Sequence, residues 1–404
     1  MKEIPKLYLL EGVVQRYSWG GSVFLPALLG IKNVKHEPFA EYWMGAHINA
    51  PSFISIDESR QAVNSFIEKD PVKMLGSMVA KEYQSLPYLL KVLDVKDMLS
   101  IQVHPDKDQA QLEFEAENKK GVPIDHPARN YKDDNHKPEL MLALSEFWLL
   151  HGFKPEKQLE RVLTEIPELN ELNAIFKKGE YTALYRYVME LDQQKVNAQL
   201  QPLLDRIIPS YSEGKLFKND ENFWVARAAQ LFNKHGMIDR GLYSIYFFNL
   251  VRLNPGEGIY QHAGIPHAYL EGQNMEIMAN SDNVLRGGLT NKHVAVHELI
   301  KHINFSAVHP EIIQGRRLPE SCEEVFETPV KDFQLSKIFL KKEDSFSVNT
   351  NSVDIYFIYE GEILAREADT TIHCGKGMAI LAIAGARIHM IAGSTATIFR
   401  ATVP

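Results

Sequence analysis

The sequence predicts a mainly β protein with an α-helical insertion in its middle. Short apolar runs broken by glycine, proline and asparagine occupy residues 1–55 and much of 243–404, as expected for strands and tight turns. Between residues 154 and 234, apolar residues recur every three to four positions instead, which indicates helices. A chain of 404 residues that is 45% hydrophobic can form two or three domains with a sizeable core.

The first part of the chain is expected to build one sheet and its flanking helices. Residues 1–55 would begin this sheet, and residues 59–82 show a loose helical spacing. The run 86–95 is short and nearly all apolar, which favours a buried strand. Lys91 interrupts this run, and because an unpaired buried ammonium is costly, it needs either an anionic ligand or an ion pair with Asp94 or Asp97.

The later elements follow from the same patterns. The apolar stripes of residues 154–234 are typical of a packed core and carry no visible chemistry. Strands are expected to resume at residues 243–250. Short runs split by glycine turns in residues 335–404 predict a second, smaller jelly roll. His373 and His389 there lack neighbouring metal-ligand types, so we expect this region to be metal-free.

Composition excludes several classes of partner. The net charge of −8 gives no overall attraction to nucleic acid or to an anionic membrane, so a phosphate would have to be bound by local cations. Cys322 and Cys374 do not suggest a disulfide framework or a thiolate metal site. No apolar run approaches the roughly 18 residues of a membrane span, and the N-terminus does not read as a signal sequence. We expect a cytoplasmic protein, and a monomer.

Three separated segments carry side chains that could bind one metal ion. If residues 100–104 are extended, Gln102 and His104 point to the same face of a strand. Glu139 opens a second apolar run, and His267 lies in the glycine-broken stretch 256–292. Each motif alone is more often structural, but two imidazoles, a carboxylate and an amide oxygen together suit zinc with an open position for substrate.

These motifs together resemble type I mannose-6-phosphate isomerase, a zinc enzyme of the cupin superfamily. The similar segments are SIQVHPDK at 100–107, YKDDNHKPE at 131–139, PHAYL at 266–270, SDNV at 281–284 with Arg286 and the Leu-Thr pair at 289–290, YSWGG at 17–21 and AEYWMG at 40–45. The likeness therefore spans roughly residues 10–300.

The resemblance implies a zinc site and a domain plan. Gln102, His104, Glu139 and His267 would hold one zinc ion, and Arg286 would be an active-site cation. His262 stands where relatives often have proline, which leaves a second histidine to consider, although the Pro-His-Ala-Tyr frame favours His267. The implied domains are a catalytic cupin at 1–153 and 235–320, a helical insertion at 154–234 and a jelly roll at 321–404.

The implied reaction interconverts mannose 6-phosphate and fructose 6-phosphate through an enediolate, which requires a proton shuttle. Glu276 lies between apolar neighbours, where its pKa would be raised, and is a candidate base. Asp282, His136 and Lys137 are alternatives, because each lies within a few residues of an implied ligand or of Arg286.

Binding of the sugar phosphate would fall to cations and polar groups near these residues. The planar fork of Arg286 can bind phosphate or enediolate oxygens unless it forms a salt bridge with Asp282. Further substrate contacts are expected from four residues: Lys91, Ser100, Tyr269 and Lys292.

Two other functions remain open from the residues. A cupin oxygenase would use a redox metal held by two histidines and a carboxylate, whereas the extra amide ligand and the nearby cations argue against it. A sugar-phosphate-binding protein without activity would keep the pocket and could dispense with a base.

Overall fold

The structure, a computed structural model, describes residues 4–56 and 59–404 and is mostly β-sheet with a helical region between its two halves. Residues 1–3 and 57–58, which fall within the predicted catalytic domain, lie outside the described part. The strands of the first half are β1 (Leu7–Glu11), β2 (Val13–Gln15), β3 (Glu41–Gly45), β4 (Phe53–Ile56), β5 (Ser59–Ala62), β6 (Tyr88–Val95), β7 (Gln102–Val103), β8 (Glu139–Ala143) and β9 (Phe147–Phe153). The helices between them are α1 (Phe24–Leu28), α2 (Val63–Glu68), α3 (Pro71–Leu75), α4 (Ser77–Tyr83) and α5 (Lys107–Lys119).

The helical region follows β9, and strands then resume. Its helices are α6 (Glu156–Glu165), α7 (Asn170–Glu190), α8 (Gln193–Ser212), α9 (Glu221–Phe232) and α10 (Gly241–Phe247), with a 3-10 turn at Pro167–Leu169. The next elements are β10 (Phe248–Leu253), β11 (Gly258–Gln261), β12 (His267–Ala279), β13 (Leu285–Arg286) and α11 (Val296–His302). The remaining strands are β14 (Arg316–Arg317), β15 (Glu323–Phe326), β16 (Gln334–Leu340), β17 (Ser345–Asn349), β18 (Asp354–Glu360), β19 (Glu362–Glu367), β20 (Thr370–Gly375), β21 (Ala379–Ala382), β22 (Arg387–Ala392) and β23 (Ala396–Thr402).

Strand β12 organises the ten-stranded sheet, which contains β2, β3 and β6–β13. Its first half, from His267, pairs with β9 and β7, whereas its second half, to Ala279, pairs with β6 and β8. The strand changes direction at Gly272, whose φ of +130° favours glycine, next to a register shift between Tyr269 and Glu271. One strand therefore carries side chains into two neighbouring regions of the sheet.

The other two sheets pack behind it in layers. A nine-stranded sheet runs in the order β14-β15-β16-β23-β18-β21-β1-β4-β5, and a four-stranded sheet runs β17-β22-β19-β20. In β18, Ile355 and Phe357 join the core shared with the ten-stranded sheet, whereas Tyr356 and Ile358 join the core shared with the four-stranded sheet. The continuous apolar run of β18 is explained by burial on both faces.

The sheet assignment of the N-terminal strands differs from the prediction. Residues 1–55 were expected to begin the catalytic sheet, but only β2 and β3 belong to the ten-stranded sheet. Strand β1 pairs with β21, and β4 and β5 extend the same nine-stranded sheet. Pairing partners so distant in sequence leave no signal in the local apolar pattern.

A second correction concerns residues 243–250, which were expected to be a strand. Residues 241–247 form helix α10, and strand β10 begins only at Phe248. All seven residues of α10 are buried, so the apolar run has no polar face from which to read a period. The helices of residues 154–232 were predicted correctly, as was the buried strand β6. No helix in the described ranges is both long and apolar enough to cross a membrane.

Candidate active site

Three buried side chains meet at one point of the ten-stranded sheet: His104 follows β7 directly, Glu139 begins β8 and His267 begins β12. The Nε2 atom of His104 lies 3.5 Å from Oε1 of Glu139, and Nε2 of His267 lies 3.4 Å from Oε2 of the same carboxylate. The three ligand atoms lie within 4.8 Å of one another. Zinc bonds of about 2.0–2.1 Å in a tetrahedron separate the ligand atoms by about 3.3 Å, so this spacing fits a zinc ion.

Hydrogen bonds on the far side of both rings prepare the histidines for a metal. Nδ1 of His104 lies 2.8 Å from the carbonyl oxygen of Asn283, and Nδ1 of His267 lies 3.0 Å from that of Ile265. Because a carbonyl can only accept, each Nδ1 carries the proton and each Nε2 presents its lone pair to the cluster. Burial lowers the pKa of His104 to about 4, which keeps the ring neutral. His104 Nε2 is buried with no hydrogen-bond partner in the described part of the chain, as expected of a metal ligand.

The backbone register places Gln102 beside this cluster. Gln102 pairs with His267 across β7 and β12, and with Arg286 across β7 and β13. It lines the inner chamber of about 60 Å³ that also contains Glu139 and His267. The register and the chamber lining therefore place Gln102 next to the three clustered side chains. His262 lies outside the cluster: its ring is exposed and packs on Tyr260 at a centroid distance of 4.4 Å.

Glu276 and its partners form the opposite wall of the chamber. Lys91 Nζ donates to Oε1 of Glu276 at 3.0 Å, and the Tyr269 hydroxyl donates to Oε2 at 2.8 Å. Burial raises the pKa of Glu276, as expected from its apolar neighbours, while the positive charge of Lys91 acts against the rise. Burial alone would lower the pKa of Lys91, but the carboxylates of Glu276, Glu41 and Glu139 raise it instead.

The expected partners of Lys91 were wrong. The lysine lies opposite Glu276 in the register of β6 and β12 and 3.6 Å from Glu41, rather than pairing with Asp94 or Asp97. Glu41 lies in the AEYWMG segment, whose sequence allowed it to face the cleft but did not assign it a role. It accepts a hydrogen bond of 2.5 Å from the indole of Trp43 and lines the chamber.

A cleft of about 550 Å³ opens outward from the chamber. Lys137, Ser100 and Gln102 line it near the cluster, and Lys137 Nζ lies 3.2 Å from Oε1 of Glu139. Burial would raise the pKa of Glu139, but Lys137 and His104 hold it well below its usual value. Residues 231, 232 and 234, at the end of α9 and just after it, also line the cleft, although the helical region showed no chemistry in its sequence.

Outside the inner chamber, the cleft is lined by two cations without a counter-ion in the described part of the chain. Within residues 4–56 and 59–404, the side chains of Arg286 and Lys292 form no ion pair, whereas Lys91 and Lys137 are both paired with carboxylates. Burial lowers the pKa of Arg286, and burial together with Arg286 lowers the pKa of Lys292. This end of the cleft therefore offers an uncompensated positive charge to an anion.

Two of the alternative proton-transfer residues have other partners. Asp282 lines the cleft, but it does not pair with Arg286: His47 Nε2 lies 3.2 Å from its Oδ1, and Asn49 donates to its Oδ2 at 2.8 Å. Burial would raise the pKa of Asp282, but the hydrogen bond and charge of His47 lower it. His136 is not part of the cleft lining, because its ring lies 3.0 Å from Asp332 in the C-terminal half. The expectation that His136 moves protons at the site has no geometric support here.

Comparison with known proteins gives the family. The family model of the catalytic domain of type I phosphomannose isomerase matches residues 7–156. The mannose-6-phosphate isomerase of Salmonella typhimurium is 34% identical over 359 residues, which cover 88% of this chain and 89% of that protein. The chain belongs to the mannose-6-phosphate isomerase family. The mannose-6-phosphate isomerase of Mus musculus is 30% identical over 435 residues, covering 98% of both chains.

Solved structures of the mannose-6-phosphate isomerase family share the whole fold. A crystal structure of the Salmonella typhimurium enzyme bound to fructose 6-phosphate and zinc has a TM-score of 0.87 and 30% identity, covering 99% of this chain and all of that one. A second structure of a mannose 6-phosphate isomerase, with zinc bound, has a TM-score of 0.86 at the same identity and coverage. The match to the catalytic family model includes Gln102, His104 and Glu139, while His267 and Arg286 lie beyond it.

Proposed function

We propose that this chain is a zinc-dependent aldose–ketose isomerase that interconverts mannose 6-phosphate and fructose 6-phosphate. One observation carries the proposal: the buried His104–Glu139–His267 cluster adjoins a cleft that is also lined by the uncompensated cations Arg286 and Lys292. Relatives named mannose-6-phosphate isomerase support it, as does the solved relative that binds fructose 6-phosphate and zinc.

The phosphate is assigned to the outer end of the cleft. Arg286 can bind two phosphate oxygens through its planar fork, and Lys292 adds a second positive charge. Lys91 and Lys137 are already neutralised by carboxylates, so they are poorer anchors for the dianion. Binding the phosphate there directs the C1–C2 end of the sugar toward the inner chamber, with Ser100 along the path.

His104, Glu139 and His267, with Gln102 as the fourth ligand, would hold the zinc ion at the inner end. When bound, zinc supplies Lewis-acid stabilisation of the negative charge that develops on the substrate oxygens. Lys137 lies within reach of Glu139 at 3.2 Å and would add positive charge on the same side of the chamber.

Glu276 is assigned the proton transfer between the two carbons. As a carboxylate it takes the proton from C2 of the aldose, which leaves an enediolate. A proton passes from the C2 oxygen to the C1 oxygen, and Glu276 returns its own proton to C1 to give the ketose. Lys91 and Tyr269 bind its two oxygens and fix its orientation. The pKa of Glu276, raised by burial, brings the base closer to neutral pH, where both protonation states are accessible.

The assay that tests the function is conversion of mannose 6-phosphate to fructose 6-phosphate by purified protein, before and after chelation. The proposal predicts turnover that is lost on chelation and restored by zinc. A cupin oxygenase would consume oxygen instead and would show no isomerisation. A binding protein without activity would bind the sugar phosphate and release it unchanged.

The variants Glu276→Gln and Arg286→Ala separate the two roles within the site. Because a general base contributes about 10²–10⁴-fold, Glu276→Gln should lower kcat by at least about 100-fold while zinc remains bound. Arg286→Ala should chiefly raise KM for the sugar phosphate. An unchanged kcat in Glu276→Gln together with an unchanged KM in Arg286→Ala would remove these assignments, and thermal unfolding of each variant serves as the control for folding.

We also infer the domain assignment, the cellular location and the oligomeric state of the protein. The ten-stranded sheet is proposed to be the catalytic cupin, and the nine- and four-stranded sheets the C-terminal jelly roll, because the latter two share an apolar core. The division at residues 153, 234 and 320 is kept as a proposal, with β1, β4 and β5 contributed to the C-terminal sheet. A cytoplasmic monomer is proposed, and light scattering of the purified protein tests its oligomeric state.

A further inference from the structure

A turn just after helix α9 packs directly against the loop between Arg286 and Lys292. A Cβ on Gly241 would lie 2.6 Å from the Leu289 nitrogen, and a Cβ on Gly288 would lie 2.5 Å from the Gly241 Cα. No side chain fits between the two segments, so backbone lies against backbone. The 286–292 loop is thereby fixed by a segment far from it in sequence.

Asp239 makes the polar contacts of this junction. Its Oδ1 accepts hydrogen bonds from the Gly241 amide at 2.7 Å and from the Leu289 amide at 3.0 Å, and its Oδ2 accepts one from the Thr290 amide at 3.3 Å. Hydrogen bonds to a carboxylate are stronger than those between neutral groups. The Asp239 carboxylate therefore links the segment between α9 and α10 to the 286–292 loop.

These bonds hold a strained backbone conformation. Leu289 has a φ of +51°, which is unfavourable for a residue with a Cβ, and Gly288 beside it has a φ of +121°. Such a conformation persists only where the surroundings impose it, and the amides of Leu289 and Thr290 are the ones that Asp239 binds. Without the carboxylate, the loop is expected to relax to other conformations.

The charge of Asp239 is directed at amides and not at the cations of the cleft. Among the described residues it forms no ion pair with Arg286 or Lys292, and Arg240 is the cation whose charge acts on its pKa. Asp239 can therefore shape the loop without neutralising the positive charge that the loop presents. An acid that paired directly with Arg286 would compete with the phosphate instead.

We propose that Asp239 is a positioning residue for the phosphate end of the cleft, holding the 286–292 loop so that Arg286 and Lys292 bind the phosphate together. The inference rests on the proposed function, because it assigns those two cations to the phosphate of the substrate. It gives the segment after α9 a part in selecting phosphorylated over neutral sugars.

The test compares four variants of the full-length, zinc-loaded protein: Asp239→Ala, Asp239→Asn, Arg286→Ala and Asp70→Ala. Asp70 caps helix α3 by accepting from the Lys73 amide and has no contact with the cleft, so its variant controls for loss of a carboxylate–amide bond elsewhere. The measurements are KM and kcat for mannose 6-phosphate, the inhibition constant of inorganic phosphate, and zinc content.

Asp239→Ala should raise both KM and the phosphate inhibition constant by about tenfold, because charge-assisted hydrogen bonds to the loop are lost. Its kcat should change by less than about threefold, and zinc should be retained. Asp239→Asn should fall between wild type and Asp239→Ala, because its amide oxygen can still accept from the Gly241 and Leu289 amides. Asp70→Ala should leave both constants at wild-type values.

Three results would overturn the inference. The first is an unchanged KM and phosphate inhibition constant in both Asp239 variants. The second is a loss of zinc and of kcat in these variants without a change in the phosphate inhibition constant. The third is a rise of both constants in Asp70→Ala equal to that in Asp239→Ala. Failure of the proposed function is distinct, because the wild-type protein would then not isomerise the sugar. Wild-type turnover with unaltered phosphate inhibition in Arg286→Ala would instead reject the assignment of the phosphate, and the role of Asp239 with it.

Discussion

His267 and His262 are five positions apart, but only His267 reaches His104 and Glu139. His267 begins β12 and is 3% exposed, whereas His262 follows β11 and turns its ring toward solvent. The Pro-His-Ala-Tyr frame favoured the correct histidine for the cluster. The position of Gln102 beside the cluster was also predicted from sequence, because a period of two along a short strand is visible in Gln-Val-His.

Replacing these two histidines tests which one holds the metal. His267→Ala should lose most of its zinc on dialysis, because one of the two imidazole ligands is gone, whereas His262→Ala should retain the wild-type amount. Elemental analysis of the dialysed proteins gives the ratio of zinc to chain. Retention by His267→Ala together with loss by His262→Ala would contradict the site.

The pH dependence of turnover tests the environment of Glu276. The base must be ionised to accept a proton, so kcat should fall as the pH drops through the pKa of Glu276, which burial raises above the usual value for a glutamate. Lys91 lowers that pKa by its charge, and Lys91→Met removes the charge. The residual activity of Lys91→Met should therefore show its acidic limb at a higher pH than wild type, measured as a kcat–pH profile. A limb that stays in place or shifts to lower pH would count against the pairing.

At the scale of elements, strand β12 joins the metal cluster to the base. His267 lies in the half that pairs with β9, and Glu276 lies in the half that pairs with β6 and β8. The bend between the halves brings Tyr269 and Glu276 of the same strand into hydrogen-bond contact. Gly272 permits this bend, because a Cβ there would lie 2.6 Å from the Phe147 ring and the φ is positive.

Substitution of Gly272 should therefore cost both stability and metal binding. Gly272→Ala is expected to lower the free energy of unfolding by about 1–3 kcal/mol through backbone strain, and to weaken zinc binding because His267 begins the same strand. Urea unfolding of the metal-free protein and a zinc-chelator competition measure the two effects. Gly375→Ala is the matched control, since a Cβ there meets open space. Equal behaviour of the two variants would contradict the role given to the bend.

The partners of buried charged residues could not be predicted from the sequence at this scale. Strand β6 was predicted from its short apolar run, but the partner of Lys91 lies 185 positions away on β12. Local spacing pointed to Asp94 and Asp97, because the register between distant strands is not written in either strand alone. Helix α10 was mistaken for a strand for a related reason: burial on every side removes the period that separates the two structures.

At the scale of the whole molecule, the nine-stranded sheet is the middle layer, between the ten-stranded and the four-stranded sheets. One face shares a core with the catalytic sheet and the other shares a core with the four-stranded sheet. Tyr88, at the start of β6, donates its hydroxyl proton to the carbonyl oxygens of Val353 and Ala401. The C-terminal strands were recognisable from their turns, but their attachment to the N-terminal strands was not, because sheet order depends on contacts between the ends of the chain.

A core substitution tests this layering. Phe357 lies fully buried between the nine- and ten-stranded sheets, so Phe357→Ala should lower the free energy of unfolding by about 3–5 kcal/mol. Phe339, in strand β16 of the same nine-stranded sheet, is 48% exposed and serves as the matched control. Phe339→Ala should lower the free energy of unfolding much less. Urea unfolding followed by circular dichroism compares the two. A similar cost in both variants would mean that the shared core does not bind the layers together.

The most direct test of the central claim is a zinc titration of metal-free protein, with the rate of fructose 6-phosphate formation from mannose 6-phosphate as the readout. A single site formed by His104, Glu139 and His267 predicts a rate that rises in proportion to added zinc and levels off at one ion per chain. Full activity without zinc, or no isomerisation at any zinc concentration, would contradict it.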